Sequence, residues 1–247
     1  TLDQQALSGD LDVKCHATWE VSAYSRLRDD TNYRKTHQMV APPHFLILGA
    51  QKAGTTWLTA VLNSLDTFQK SRRKETRFLF ANWRPEYDKM PTEDVLYLYQ
   101  ENWNLPPKGI TFEASPGYLA HPEVIQRIRN LGLSPKFVIV LRDPVQRLIS
   151  LHHMWERNRG LSAGFEEHWG GALDQVVRQR DQVQDENAWY RSIKTGSNAS
   201  VKGIAHGLYL FQLRAWLSAF GPDKFFITKG SIRISYASSS VIEHIVN

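Results

Sequence analysis

Short apolar runs recur along the chain in the pattern of buried strands. Residues 44–49, 110–113, 136–141 and 224–228 form four such runs, each four to six residues long and rich in Phe, Ile, Leu or Val. Continuous apolar runs of this length, without alternation of polar residues, are typical of strands that are covered on both faces. We therefore predict a strand at each of these positions.

Helical periodicity fills the intervals between these runs. Leu58, Val61, Leu62 and Leu65 recur at helical spacing and form one apolar stripe. Asp143 precedes another apolar-periodic segment, where a carboxylate can cap the first helical turn. Helices are predicted over residues 55–65, 122–131, 144–155, 204–220 and 241–246, and the polar segment 162–200 is left unassigned.

The alternation of strands and helices predicts the fold class. It indicates a single α/β domain in which a central parallel sheet carries helices on both faces. Residues 1–43 are polar and irregular and are predicted to be an N-terminal extension, so the domain is expected over residues 44–247, and its completeness at the C-terminal end is left open. Ligands of such sheets bind beyond the carboxyl ends of the strands, which directs attention to the loops after residues 49 and 141.

Composition narrows the classes of function. The chain has 247 residues, of which 42% are hydrophobic and 22% charged, as in ordinary globular proteins. The formal charge of +5 suits an anionic ligand, and no nucleic-acid partner is expected. Cys15 is the single cysteine, which excludes an intrachain disulfide and a zinc site built on thiolates. No metal is expected, and no apolar run reaches the roughly 18 residues of a membrane span.

The loop over residues 49–56 has the composition of a phosphate cradle. Gly54 lets the backbone approach an anion, Lys52 adds a positive charge, and Thr55 and Thr56 offer hydroxyl donors at a helix start. The string nearly matches the Walker A pattern of nucleoside triphosphatases, which keeps a P-loop kinase of a small molecule as an alternative, but Thr55 stands where that pattern has Lys, which argues against it. The alternative to an anion-binding loop is a plain glycine turn in which the Lys52 side chain lies in solvent.

A second anion-binding element follows the strand predicted over residues 136–141. Residues 141–150 read L-R-D-P-V-Q-R-L-I-S. Arg142 ends the strand, where its guanidinium fork can meet a phosphate, and Ser150 lies two helical turns further on. Both side chains can face one site if the helix begins against that site.

These two elements resemble the donor-binding motifs of the sulfotransferase superfamily that uses 3′-phosphoadenosine 5′-phosphosulfate (PAPS). The string Q-K-A-G-T-T-W-L at residues 51–58 is similar to its 5′-phosphosulfate loop, and R-D-P-x-x-R-x-x-S at residues 142–150 to its 3′-phosphate element. The resemblance implies the sulfotransferase fold with a P-loop-like donor loop. It implies PAPS as donor, held by Gln51, Lys52, Ala53, Gly54, Thr55, Thr56, Trp57, Arg142 and Ser150. In the family the Lys contacts the leaving group, so the resemblance implies that Lys52 is a catalytic residue.

A third segment resembles one branch of that superfamily. Residues 74–80, K-E-T-R-F-L-F, are similar to the K-E-x-x-F-F segment of the Golgi heparan-type sulfotransferases and their bacterial and algal relatives. The resemblance implies Glu75 as the general base on the acceptor, with Lys74 and Arg77 near the acceptor. The alternative is a solvated cluster of charged residues.

Two weaker similarities extend this match. Residues 112–118 resemble the E-K-S-P-x-Y stretch of the family and suggest Ser115 and Tyr118 as acceptor contacts, although Ala114 replaces the Lys of heparan-acting members. Residues 206–217 resemble the helix G-x-Y-x-x-x-L-x-x-W, which suggests Tyr209 as a further contact.

The resemblance implies transfer of sulfonate from PAPS to a hydroxyl or amine of an acceptor, with carbohydrate as the first choice. A small alcohol, polyketide, toxin or lipid acceptor is the alternative, and a non-catalytic carbohydrate-binding relative is another. The branch implies the Golgi lumen, as a processed or truncated form, with the cytoplasm as alternative, and leaves open whether an anchor precedes Thr1. Asn198 begins an acceptor sequence for N-glycans, which slightly favours the secretory route.

Overall fold

A computed structural model describes residues 43–100, 102–103, 109–195 and 198–230 of the chain. Residues 1–42 of the predicted N-terminal extension and the helix predicted over residues 241–246 lie outside the described residues. The same holds for Cys15.

The described strands form one parallel sheet of five strands in the order β2-β3-β1-β4-β5. The strands are β1 (Phe45–Gly49), β2 (Phe68–Lys70), β3 (Ile110–Ala114), β4 (Lys136–Leu141) and β5 (Phe225–Lys229). All four predicted strands are confirmed to within one residue at each end. The edge strand β2 was missed because three residues are too few to show a period.

Helices flank this sheet, as the alternating pattern predicts. They are α1 (Thr55–Asn63), α2 (Thr92–Gln100), α3 (Pro122–Asn130), α4 (Pro144–Arg159), α5 (Phe165–Asp181), α6 (Glu186–Thr195), α7 (Ala199–Ala205) and α8 (Tyr209–Phe220). The unassigned segment 162–200 therefore holds two complete helices and the start of a third. Among the helices of the described residues, none has both the length and the apolar character that crossing a bilayer requires.

The prediction of one continuous helix over residues 204–220 is wrong. The chain leaves helical geometry between α7 and α8, where Leu208 has φ −85° and ψ 66°. At Gly207 an added Cβ would lie 3.4 Å from both the Arg147 Nε and the Pro144 Cβ. The turn is packed closely against the start of α4, and this tertiary contact leaves no trace in the local apolar period.

Local signals fix where the site-bearing helices begin. Asp143 caps α4, since its carboxylate accepts a hydrogen bond of 2.9 Å from the backbone N–H of Gln146, and Pro144 occupies the first turn. Gly54 precedes α1 with φ 99°, a left-handed conformation that favours glycine. Both helices therefore start directly at the carboxyl edge of the sheet, after β4 and β1.

Aromatic packing builds the core around the central strands. The Phe45 ring stacks on Phe112 with centroids 5.0 Å apart, and the Phe137 ring stacks on Phe225 at 4.8 Å. The helices α5, α6 and α7 make a second apolar cluster beside the sheet, with Trp189 and Ile193 among its buried members. Because β1 and β4 are buried along almost their whole length, the loops at their carboxyl ends have a rigid base.

Candidate active site

A cleft of about 680 Å³ opens at the carboxyl ends of the central strands. It lies at the edge where ligands bind in sheets of this class. Twelve of the predicted site residues line it: Gln51, Lys52, Gly54, Thr55, Thr56, Lys74, Glu75, Arg77, Ser115, Tyr118, Arg142 and Ser150. We call this cleft the reaction pocket.

The loop after β1 turns sharply before it enters α1. Lys52 has φ 69° and Gly54 has φ 99°, and the Ala53 N–H donates to the Ala50 carbonyl at 3.1 Å. This turn brings Thr55 and Thr56, the first residues of α1, to the wall of the reaction pocket, and the first N–H groups of a helix have no partner within it. The geometry is that of an anion-binding helix start.

The two predicted anion-binding elements meet in this pocket. The Arg142 guanidinium donates a hydrogen bond of 3.1 Å to the Lys52 carbonyl, although ninety positions separate them in the chain. Burial lowers the pKa of Lys52, and the nearby positive charges of Arg157, Arg142 and Lys74 lower it further, whereas Glu75 raises it. Lys52, Lys74 and Arg142 all line the reaction pocket, and a polyanionic ligand there would relieve their mutual repulsion.

The segment that carries Glu75 has an unusual backbone. Glu75 has φ 59° and Arg77 has φ 52°, both in the left-handed region. The Glu75 carboxylate lies 2.9 Å from the Arg77 guanidinium and 3.5 Å from the Lys74 ammonium. Lys74 also donates to the Thr56 hydroxyl at 2.5 Å, which links this segment to the loop after β1. Glu75 is thus oriented by two cations at the edge of the reaction pocket.

A fully buried carboxylate, Glu113 on β3, holds that backbone in place. Its Oε1 accepts hydrogen bonds of 2.5 Å from the hydroxyls of Thr76 and Ser115, and its Oε2 accepts one of 2.5 Å from Tyr99. Burial raises the pKa of Tyr99 well above its usual range, and the negative charge of Glu113 raises it further, so the phenol stays a donor. Sequence reasoning missed this role, although a Glu inside an apolar strand was a visible signal.

Ser115 and Tyr118 line the reaction pocket but also serve this framework. The Ser115 hydroxyl accepts from the Arg77 N–H at 3.1 Å, and the Tyr118 hydroxyl accepts from the Leu79 N–H at 3.0 Å. Both side chains are about 99% buried. Their hydroxyls are therefore engaged in fixing residues 77–79, a contact that the sequence did not reveal.

Three predicted site residues do not line the reaction pocket. Ala53 is buried beneath its loop, where its carbonyl leaves room only for glycine at position 230. Trp57 is 42% exposed on the surface of α1. The hydroxyl of Tyr209 is buried, and burial raises its pKa. The chain path explains the first two cases, since the loop turns Ala53 inward and α1 turns Trp57 outward.

Histidines that the sequence analysis did not select also line the reaction pocket. The Nδ1 of His121 lies 2.9 Å from the Glu123 carboxylate, and its ring stacks on Phe80 with centroids 3.4 Å apart. His206 meets His121 edge to face at 5.8 Å, and burial, with the nearby positive charges, lowers its pKa to about 3. Only the tertiary fold brings these residues together.

Comparisons with known proteins agree with this architecture. A family model described as a sulfotransferase domain matches residues 42–231. The membrane-associated sulfotransferase kil1 of Dictyostelium discoideum is 26% identical over 119 residues, which cover 47% of this chain and 24% of that protein. Heparan sulfate glucosamine 3-O-sulfotransferase 5 of Mus musculus is 27% identical over 192 residues, which cover 76% of this chain and 48% of that protein.

The fold also matches a solved structure. A sulfotransferase from Alicyclobacillus acidocaldarius superposes with a TM-score of 0.56 and 22% identity, over 83% of this chain and 78% of that chain. The chain spans half or less of the length of these curated relatives. Since the family model covers most of the sequence, from just before β1 to just after β5, the chain belongs to the sulfotransferase family.

Proposed function

We propose that this chain transfers sulfonate from PAPS to a hydroxyl of an acceptor, with carbohydrate as the first choice and an amine or a small alcohol as alternatives. The observation that carries the proposal is that Lys52 and Arg142 line one pocket and are joined by a hydrogen bond. The resemblance assigns these residues to opposite ends of one nucleotide. Family membership and the heparan sulfate enzyme among the relatives support the reaction class and the acceptor class.

The charges and dimensions of the reaction pocket suit the donor. A volume of about 680 Å³ is in the usual range for a cofactor-sized ligand. Lys52 and the start of α1 would hold the phosphosulfate end, because helix starts and ammonium groups both attract anions. Arg142 and Ser150 would hold the 3′-phosphate, for which a guanidinium fork is well shaped.

The reaction would then proceed by in-line displacement at sulfur. Glu75 accepts the proton of the acceptor hydroxyl while the acceptor oxygen forms a bond to sulfur. The bond between sulfur and the bridging phosphate oxygen breaks, and adenosine 3′,5′-bisphosphate leaves with that oxygen. Lys52 stabilises the negative charge that grows on the leaving oxygen, so its interaction is stronger in the transition state than in the ground state.

Transfer from labelled PAPS to a panel of acceptors tests this proposal. We expect Lys52→Ala to lose nearly all turnover, and Glu75→Gln to lose turnover while it still binds adenosine 3′,5′-bisphosphate in calorimetry. Lys89→Ala and Glu86→Gln are matched controls, since both residues are exposed and lie outside the wall of the reaction pocket. Normal transfer by Glu75→Gln would remove Glu75 as the base.

Other results would favour the alternative functions. Wild type that turns over ATP with Mg²⁺ and ignores PAPS would identify a kinase. Wild type that binds carbohydrate but transfers nothing would identify a binding protein. Failure to bind adenosine 3′,5′-bisphosphate would refute the donor assignment itself.

A Golgi lumenal location is a further part of the proposal, and Asn198 offers a test. It is exposed at the start of α7, where its side-chain oxygen caps the helix by accepting from the Val201 N–H at 3.0 Å. A glycan on the amide nitrogen would leave that oxygen free to cap. We expect the secreted or lumenal protein to lose mass on treatment with an N-glycosidase, and an unchanged mass would argue against this site.

A further inference from the structure

A second cleft, of about 460 Å³, adjoins the reaction pocket. It lies between residues 119–123, helix α6 and helix α8, and His121 lines both clefts. The chain thus passes from one cleft to the other within a few residues, with Ser115 and Tyr118 on the reaction pocket and Leu119 and Ala120 on its neighbour. We call this second space the side cleft.

The walls of the side cleft are mainly apolar and aromatic. Tyr190 stacks on Phe211 with centroids 4.7 Å apart and rings 9° from parallel. Trp216 is fully buried, and its indole N–H donates to the Leu119 carbonyl at 3.0 Å. These rings belong to two packed helices, so the side cleft exists before any ligand arrives, as in most small-molecule sites.

Among the described residues, Lys194 is the cation of the side cleft for which no close counter-ion is found, whereas Arg191 lies 3.7 Å from Asp185. The ammonium of Lys194 lines the side cleft, and no carboxylate of the described residues lies within ion-pair distance of it. Burial lowers the pKa of Lys194 to about 8, and the more distant Glu123 raises it. Glu123 also lines the side cleft, but its carboxylate is engaged with the His121 Nδ1 at 2.9 Å. An ammonium withdrawn from water and not closely paired would gain from a bound anion.

We propose that the side cleft binds an apolar, ring-sized end of the acceptor, and that this end carries an anionic group that pairs with Lys194. The inference rests on the proposed function, because the proposed function is what places the acceptor hydroxyl in the reaction pocket. The shared wall at His121 makes the two clefts adjacent, so one acceptor can reach from one to the other. The aromatic walls of the side cleft bury the ring of the acceptor, and the Lys194 ammonium favours an acceptor that carries an anionic group.

A fluorescent aromatic sulfonate tests the cleft without any turnover. We would titrate the full chain with 8-anilinonaphthalene-1-sulfonate while saturating adenosine 3′,5′-bisphosphate occupies the reaction pocket. We expect Ala215→Trp, which fills the cleft from an exposed wall position, to raise the dissociation constant at least tenfold, and Lys194→Met to raise it several-fold. Ser218→Trp is the matched control, since Ser218 is exposed on the same helix and does not line the cleft.

A second variant that fills the side cleft keeps the test valid if Ala215→Trp does not fold. Asn187→Trp fills the cleft from α6, where Asn187 is exposed, and should weaken probe binding as Ala215→Trp does. Equal probe affinity in wild type and in both filling variants, or no probe binding to wild type, would overturn the inference.

Paired acceptors test whether the side cleft serves transfer. With labelled PAPS, we expect a 4-carboxyphenyl glycoside to have a KM at least tenfold below that of the methyl glycoside of the same sugar, and Ala215→Trp to abolish the difference. Equal KM values in wild type would refute the acceptor role. Wild type that binds the probe but transfers nothing would remove the proposed function and keep the side cleft as a ligand site.

Discussion

Glu113 is the residue whose surroundings most constrain the chemistry of the reaction pocket. A carboxylate withdrawn from water is costly unless its oxygens are hydrogen-bonded. Three hydroxyls, those of Thr76, Ser115 and Tyr99, point at this carboxylate from three different segments. Thr76 directly follows Glu75, so the buried carboxylate determines where the proposed base lies. We regard Glu113 and Thr76 as positioning residues.

Loss of the Thr76 hydroxyl should therefore weaken catalysis without weakening donor binding. Thr76→Val removes one donor to Glu113 and the acceptor of the Phe78 N–H, which lies 3.2 Å away. We expect a loss of about 1–3 kcal/mol in the free energy of unfolding and a kcat at least tenfold lower, with the affinity for adenosine 3′,5′-bisphosphate unchanged. Urea unfolding, steady-state kinetics and calorimetry measure the three quantities.

Two controls separate positioning from general destabilisation. Thr76→Ser keeps the hydroxyl and should recover most of kcat. Val201→Ala truncates a fully buried side chain in α7, far along the chain from Glu75, and should lower stability while kcat stays near that of wild type. Equal losses of kcat in Thr76→Val and Val201→Ala would show that Thr76 has no positioning role.

At the scale of elements, two helical glycines differ in what surrounds them. Gly171 lies in α5, where an added Cβ would meet nothing within 4 Å. Gly203 lies in α7, where an added Cβ would come to 3.0 Å from the Trp169 ring and 3.2 Å from Leu151. That ring cannot move away easily, because Trp169 is fully buried and stacks on Trp155 at 5.1 Å. Gly203 thus sets how closely α7 approaches α4 and α5.

The same substitution should act in opposite directions at these two positions. Alanine is better than glycine inside a helix by roughly 1 kcal/mol, so Gly171→Ala should raise the free energy of unfolding by about that amount. Gly203→Ala gains the same propensity but overpacks the contact with Trp169, and a net loss of about 1–2 kcal/mol is expected. Urea unfolding of both variants measures the difference, and a stabilised Gly203→Ala would contradict the close packing.

At the scale of the whole molecule, the sequence predicts what depends on local signals. The strands β1 and β4 are continuous apolar runs, and the loops after them carry Lys52 and Arg142. The fold class, and the part of the reaction pocket that these two residues line, could therefore be predicted. The break at Gly207 and the contact between His121 and His206 arise from tertiary packing, which no local period encodes. The side cleft was missed for the same reason, since residues from three separate segments form it.

Partly buried histidines with lowered pKa values make the stability of the whole domain depend on pH. Burial lowers the pKa of His206 to about 3, and it also lowers the pKa values of His44 and His121. The unfolded chain, in which histidine has its ordinary pKa of about 6.5, therefore binds more protons than the folded chain below that pH. The free energy of unfolding should be highest above pH 6.5 and should fall as the pH falls towards 5.

Substitution of His206 tests this dependence by its slope. We expect His206→Gln to remove about 1.5 kcal/mol of the decrease between pH 6.5 and pH 5, since His206 then no longer distinguishes the two states. Urea unfolding at constant ionic strength across this range measures how the free energy of unfolding changes with pH. A loss of stability that is the same at every pH does not alter this slope. His153→Gln is the control, because the His153 side chain is 57% exposed. If His206→Gln and wild type show parallel curves, the low pKa of His206 is refuted.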